Sequence, residues 1–112
     1  MIKNYQIEYT YSARNDIRKM KSYILKNFKY RELGQSFTRK IRKAAHELRV
    51  FPNGYNTTGF RFRGYDIYLK PCDTYLLFYT IDEITSTVTV LRVLQDGMNW
   101  QYVIKRWIIE NR

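Results

Sequence analysis

Tyr75-Leu76-Leu77-Phe78-Tyr79-Thr80-Ile81 is a seven-residue apolar run, rich in aromatics and closed by the polar turn Asp82-Glu83-Ile84-Thr85-Ser86. It is too short for a membrane span and too continuous for a half-exposed strand. It predicts a central strand buried on both faces. Downstream, Thr87 to Leu94 is rich in β-branched residues and predicts the next strand. Upstream, Phe60 and Phe62, then Tyr65, Ile67 and Leu69, alternate with polar residues as a strand pair or one bent strand, which Pro71 ends. A strand buried on both faces needs layers on both sides, so the flanking sequence must supply helices.

It does. Beyond Gly97, Trp100, Ile104, Trp107 and Ile108 recur at helical spacing and predict a closing helix to about residue 110. Before the strands, Phe37, Ile41, Ala44, Leu48 and Phe51 form one regular stripe over a helix from about 32 to 50. Ala13, Ile17, Met20, Ile24 and Phe28 do the same over about 13 to 29, with Ser12 as the expected cap and Asp16 opposing the helix dipole. The short connection at Tyr30-Arg31 makes the two helices an antiparallel hairpin. Residues 3 to 11 alternate, with Tyr5, Ile7, Tyr9 and Tyr11 on one face, as a half-buried strand. The one strong break is Phe51-Pro52-Asn53-Gly54 with the polar run Tyr55-Asn56-Thr57-Thr58-Gly59. The expected fold is an α+β single domain over residues 1–112. It is an antiparallel sheet of three or four strands plus the N-terminal strand, with an N-terminal helical hairpin and a C-terminal helix.

Composition bounds the function. The 112 residues carry a formal net charge of +10, with 45% hydrophobic and 17% aromatic content. That aromatic share excludes a disordered basic tail. No apolar stretch is long enough for a membrane helix, and the first residues show no signal-peptide pattern, so a cytoplasmic protein with no membrane partner is expected. Cys72 is the only cysteine, which excludes an internal disulfide and a cysteine metal cluster. No metal-ligand spacing and no Gly-rich phosphate loop occurs, so no metal and no cofactor is expected. The charge is uneven. Residues 1 to 60 hold thirteen Lys/Arg and four Asp/Glu, whereas residues 61 to 112 hold seven and six. The excess sits on the helical hairpin, including Arg39, Arg42 and Lys43, and points to an anionic partner: nucleic acid or an acidic protein.

Read end to end, the chain resembles the RelE/ParE family of small bacterial toxins. The resemblance rests on the segment Tyr5 to Ile17, the hairpin ending in Phe51-Pro52, Gly64-Tyr65, the run Tyr75 to Glu83, the strand Val88 to Leu94, and Met98-Asn99-Trp100. It implies a toxin of a type II toxin–antitoxin pair, held by an acidic antitoxin. The target it implies is either mRNA on the ribosome, cut by an endoribonuclease (mRNA interferase) that inhibits translation, or DNA gyrase, poisoned without catalysis. A degenerate toxin that only binds its antitoxin is a third option. RNA cleavage through the 2′-hydroxyl needs a base, an acid and cations. Several positions where the cleaving branch carries such groups read here as Asp66, Tyr68, Leu76 and Gly97, and the final signature begins with Gln95.

The Tyr75–Tyr79 form and Trp100 favour the RNA-cleaving side. The remaining candidates are Arg92 and Tyr75 as the catalytic pair, with Arg61, Arg63, Lys70, Arg39, Arg42, Lys43 and Trp100 as RNA-binding residues. Arg92 alternates with Leu91 and Val93 and is expected to point away from both. Tyr65, Tyr68 and Tyr79 read as stacking surfaces or as ordinary sheet residues. His46 and Glu47 read as helix-surface residues, and Cys72 as an inert thiol.

Overall fold

The structure, a computed structural model, describes residues 3–28 and 30–112. The chain runs β1 (Gln6–Tyr9), α1 (Tyr11–Phe28), α2 (Arg31–His46), β2 (Asn56–Phe62), β3 (Tyr65–Cys72), β4 (Tyr75–Asp82), β5 (Thr87–Gln95) and α3 (Trp100–Asn111). Short 3-10 turns at Glu47–Arg49 and Pro52–Gly54 carry it from α2 to β2. The helix expected to reach residue 50 therefore ends at His46. The expected end of the first helix at residue 29 lies outside the described residues.

The five strands form one sheet in the order β1-β5-β4-β3-β2. The β2–β3, β3–β4 and β4–β5 pairs are antiparallel, but β1 lies parallel to β5, with Ile7 opposite Val88. The sheet is thus mixed, which corrects the expectation of an antiparallel one. A parallel pair needs a long crossover, and the hairpin and three intervening strands provide it. Alternation within β1 reports which face is buried and carries no information about strand direction.

β4 is the buried centre, from Leu76 to Ile81. On one face Leu77, Val90 and Val93 pack against Ala13, Phe37, Ile41 and Ala44 of the hairpin. On the other, Leu76, Phe78, Leu91 and Leu94 pack with Phe62, Ile67 and the Ile104 and Trp107 side chains of α3. Tyr5, Leu48, Tyr79, Ile81 and Val88 close the end of the sheet beside the 3-10 turn. Each large aliphatic or aromatic side chain buried this way contributes about 1.5–3 kcal/mol.

Three local readings change. Thr10, not Ser12, caps α1: its Oγ1 accepts from Ala13 N at 3.0 Å while its hydroxyl donates to Leu91 O at 2.7 Å. Ser12 instead accepts from the indole Nε1–H of Trp107 at 2.8 Å. The polar run after Gly54 is part of β2, which carries a bulge between Thr57 and Arg61, with Gly59 at φ +87°. That left-handed conformation is one glycine adopts without strain. Pro71 stays within β3, opposite Leu76. It is tolerated because the pairing of β2 reaches only Leu69, so beyond it the outer edge of β3 needs no N–H donor from Pro71.

Candidate functional site

The two residues expected to do chemistry sit apart. Tyr75 opens β4 on the hairpin face, its ring 4.8 Å from that of Phe37. Burial pushes its hydroxyl above the ordinary tyrosine value. Arg92 stands opposite Phe78 in the β4–β5 ladder, at the rim that α3 and the start of α1 share. The ladder jumps from the Phe78–Arg92 pair to Tyr79–Val90, so Leu91 is an extra residue. This bulge breaks the expected alternation: Leu91 packs under α3 and Val93 under the hairpin.

The Arg92 guanidinium is held in an ion pair. Its Nε donates to Asp16 Oδ2 at 2.7 Å and its Nη2 to Asp16 Oδ1 at 2.9 Å, with both side chains less than one-fifth exposed. Asp16 Oδ2 also accepts from the backbone N of Val93 at 3.0 Å. Asp16 was expected to oppose the helix dipole; it spends its lone pairs on β5 instead. The bidentate geometry is the strong form of this ion pair.

The other expected cations divide. Lys70 is buried on the hairpin side, where Nζ donates to Ala44 O at 2.7 Å and Glu47 Oε1 at 3.0 Å. It caps the end of α2, and its hydrogen bond, then its charge, hold the Glu47 carboxyl below the ordinary glutamate value. Glu47 is thus an ion-pair partner, not a merely solvated residue. Arg61 pairs with Asp66 at 3.4 Å, and Arg63 donates to Asn111 O at 3.1 Å with its guanidinium over the Phe62 ring. Arg39, Arg42 and Lys43 are exposed on α2 and, among the described residues, form no ion pair.

The aromatic candidates are mostly structural in contact. The Tyr79 hydroxyl donates to Pro52 O at 2.6 Å and its ring stacks on Tyr68; burial raises its pKa strongly. Tyr65 donates to Asp82 at 3.0 Å. Trp100 differs: it lies partly exposed against Phe78 and, edge-on, Phe60. His46 is exposed at the end of α2. Cys72 has its thiol pushed up by burial, which lowers its nucleophilicity. Among the described residues no three His, Cys, Asp or Glu side chains converge to hold a metal ion.

Two surfaces on the hairpin emerge instead. The first is an apolar groove of about 350 Å³ between Ile24, Phe28, Leu33, Phe37 and Tyr75. Tyr23, Phe28 and Leu33 beside it are exposed large side chains. The second, nearer β1, is a cationic groove lined by Arg14, Arg18, Lys21 and Arg42. Of these four, only Arg42 is among the residues expected to bind RNA. The spacing 14, 18, 21 places three of them on one helical face, and that signal was available.

The family described as "ParE toxin of type II toxin-antitoxin system, parDE" matches residues 7–100. No curated protein sequence matches the chain. Among solved structures, the chain is similar to a chain of the chromosomal ParDE toxin–antitoxin system from P. aeruginosa, with 10% identity, TM-score 0.68, and 83% of this chain and 97% of that one covered. It is similar to a chain of the RelBE2 toxin–antitoxin complex of Mycobacterium tuberculosis, with 22% identity, TM-score 0.60, and coverage of 88% and 98%. It is also similar to a chain of the archaeal RelE–RelB complex from Pyrococcus horikoshii OT3, with 12% identity, TM-score 0.58, and coverage of 84% and 97%. At these identities the structural likeness establishes the RelE/ParE fold. The family match carries the assignment further, because it spans most of the chain: this protein belongs to the ParE toxin family of type II toxin–antitoxin systems.

Proposed function

We propose that this toxin acts by binding its target rather than by cutting RNA, that the target is DNA gyrase, and that an acidic antitoxin neutralises it. The observation that carries the reading is the Arg92–Asp16 ion pair. Arg92 is the strand arginine expected to meet a phosphate at the catalytic position, and Asp16 already neutralises it. Tyr75, its expected companion, packs on the opposite face of the sheet. With Arg92 paired and Tyr75 on the other face, the two expected catalytic residues do not meet at one phosphate. The ParE family match agrees with a binding toxin. The apolar groove at Phe28, Leu33 and Tyr75, set in a hairpin rich in Lys and Arg, suits an amphipathic acidic antitoxin segment.

A second reading, ribosome-associated mRNA cleavage, is favoured by the partly exposed Trp100 ring beside Phe60, a surface on which a base can stack. It requires Arg61 and Arg63 to leave Asp66 and the Asn111 carbonyl. Inducing the toxin in a bacterial host while mapping RNA 5′ ends and a DNA-damage reporter separates the two. A gyrase-binding toxin raises the reporter and leaves mRNA ends unchanged. New 5′ ends within translated codons would overturn it.

A further inference from the structure

The cationic groove lies between α1 and α2, which approach so closely at Gly34 that a Cβ there would press on Leu25 and Lys21 of α1. Its volume is about 590 Å³. Arg14, Arg18 and Lys21 line it from α1 and Arg42 from α2, over a floor of Tyr9, Ile17 and Thr38. No carboxylate lines it. The ion pairs among the described residues all lie elsewhere. Arg18 donates only to the neutral side-chain carbonyl of Asn15, so its charge is uncompensated. Burial raises the Tyr9 hydroxyl above its ordinary value, and the charge of Arg42, which lines the same groove, offsets part of that rise.

We propose that this groove binds the phosphate backbone of duplex DNA, so that the toxin grips the DNA its target works on as well as the target itself. The choice of duplex DNA rests on the gyrase reading above. The choice of phosphate rests on the groove. From Arg14 to Lys21 the helix rises about 10 Å, at 1.5 Å per residue. Measured along a duplex axis, that length covers about three base-pair steps, at 3.4 Å of axis per phosphate of one strand. Arginine forks match phosphate oxygens, and three of the four cations are arginines. A protein partner needs apolar anchors at its centre, and Ile17 is the only aliphatic side chain here. The hairpin exposes a cluster of apolar residues, Tyr23, Phe28 and Leu33, toward its turn, and Tyr11 alone at the start of α1. The two surfaces therefore separate a phosphate contact from a protein contact.

The test is fluorescence anisotropy of a labelled 20-base-pair duplex with the purified toxin, without gyrase, from 50 to 200 mM salt. Arg14→Gln/Arg18→Gln removes two groove charges at exposed positions; Lys105→Gln/Arg112→Gln removes two exposed charges remote from it. The groove pair is expected to weaken binding at least tenfold and to reduce the salt slope by about two. The remote pair is expected to change it less than twofold. Equal losses in both pairs would mean attraction by net charge alone and would overturn the proposal. So would tighter binding to a single-stranded RNA of the same length, or full displacement of the duplex by a charge-matched acidic peptide. Because gyrase is absent, failure here leaves the gyrase reading intact; that reading fails separately, in a supercoiling assay with the parent toxin.

Discussion

Arg92 and Asp16, 76 residues apart in sequence, share two hydrogen bonds of 2.7 and 2.9 Å across the junction of β5 and α1. The same carboxylate accepts from Val93 N, and Thr10 donates to Leu91 O. Together Thr10 and Asp16 complete the open edge of β5 where β1 ends and its chain turns into α1. The pair is therefore part of the sheet, and its removal is expected to be read first as stability.

Arg92→Ala leaves a largely buried carboxylate with one partner fewer and is expected to destabilise the fold by about 3 kcal/mol. Asp16→Ala orphans the guanidinium and the Val93 N–H and is expected to cost a similar amount. The double variant should cost clearly less than the two single losses added, because neither charge is then left alone. Urea denaturation of the four proteins measures this; strict additivity would mean the contact contributes nothing of its own.

Lys70 offers a second stability test. Lys70→Met keeps the stem in place while removing the ammonium that caps Ala44 O and pairs with Glu47. The expected loss is about 2 kcal/mol, seen as a lower midpoint in denaturant with an unchanged slope. Arg39→Met, exposed on the same helix, is expected to leave the midpoint within error.

Trp107 links α3 to α1 through its indole N–H and Ser12. Trp107→Phe keeps most of the buried ring and is expected to cost about 1 kcal/mol for the lost hydrogen bond and volume. Trp107→Ala empties the site under Phe62 and is expected to cost about 3–5 kcal/mol. Thermal unfolding by circular dichroism ranks the two.

The pH dependence of stability follows from three carboxylates. Glu83 is held below the ordinary value chiefly by the Tyr5 hydroxyl and then by Lys3. Asp82 is lowered chiefly by the Thr85 backbone N–H, and Glu47 by Lys70. A carboxyl with a depressed folded pKa stabilises the protein above its unfolded value, and that share is lost as pH falls through the folded one. Stability is therefore expected to fall on acidification below about pH 4. Glu83→Gln is expected to flatten that limb; an unchanged acid limb would mean Tyr5 and Lys3 do not hold the carboxylate.

Most of the fold was legible because its signals are local. The apolar run 75–81, the stripe from Phe37 to Leu48 and the helical spacing of Trp100, Ile104 and Trp107 each name an element by period alone. What stayed hidden depends on partners distant in sequence. Alternation in Gln6–Tyr9 says nothing of its parallel pairing with β5. The bulge at Leu91 arises from the ladder, so residues 91 to 93 read as plain alternation. The partner of Arg92 stayed hidden because Asp16 lies on another element, and Lys70, expected to bind RNA, instead caps the end of α2, which is invisible from β3. The cationic groove was half legible: its α1 spacing is in the sequence, but Arg42 joins it only through the hairpin.

The most direct measurement of the proposed mode of action uses purified components. The parent toxin is added to bacterial DNA gyrase with relaxed plasmid, and in parallel to ribosomes translating a defined mRNA. A non-catalytic gyrase toxin inhibits supercoiling or traps cleaved DNA at near-stoichiometric ratios and leaves the mRNA intact. Catalytic cleavage of the ribosome-bound mRNA with supercoiling untouched contradicts it.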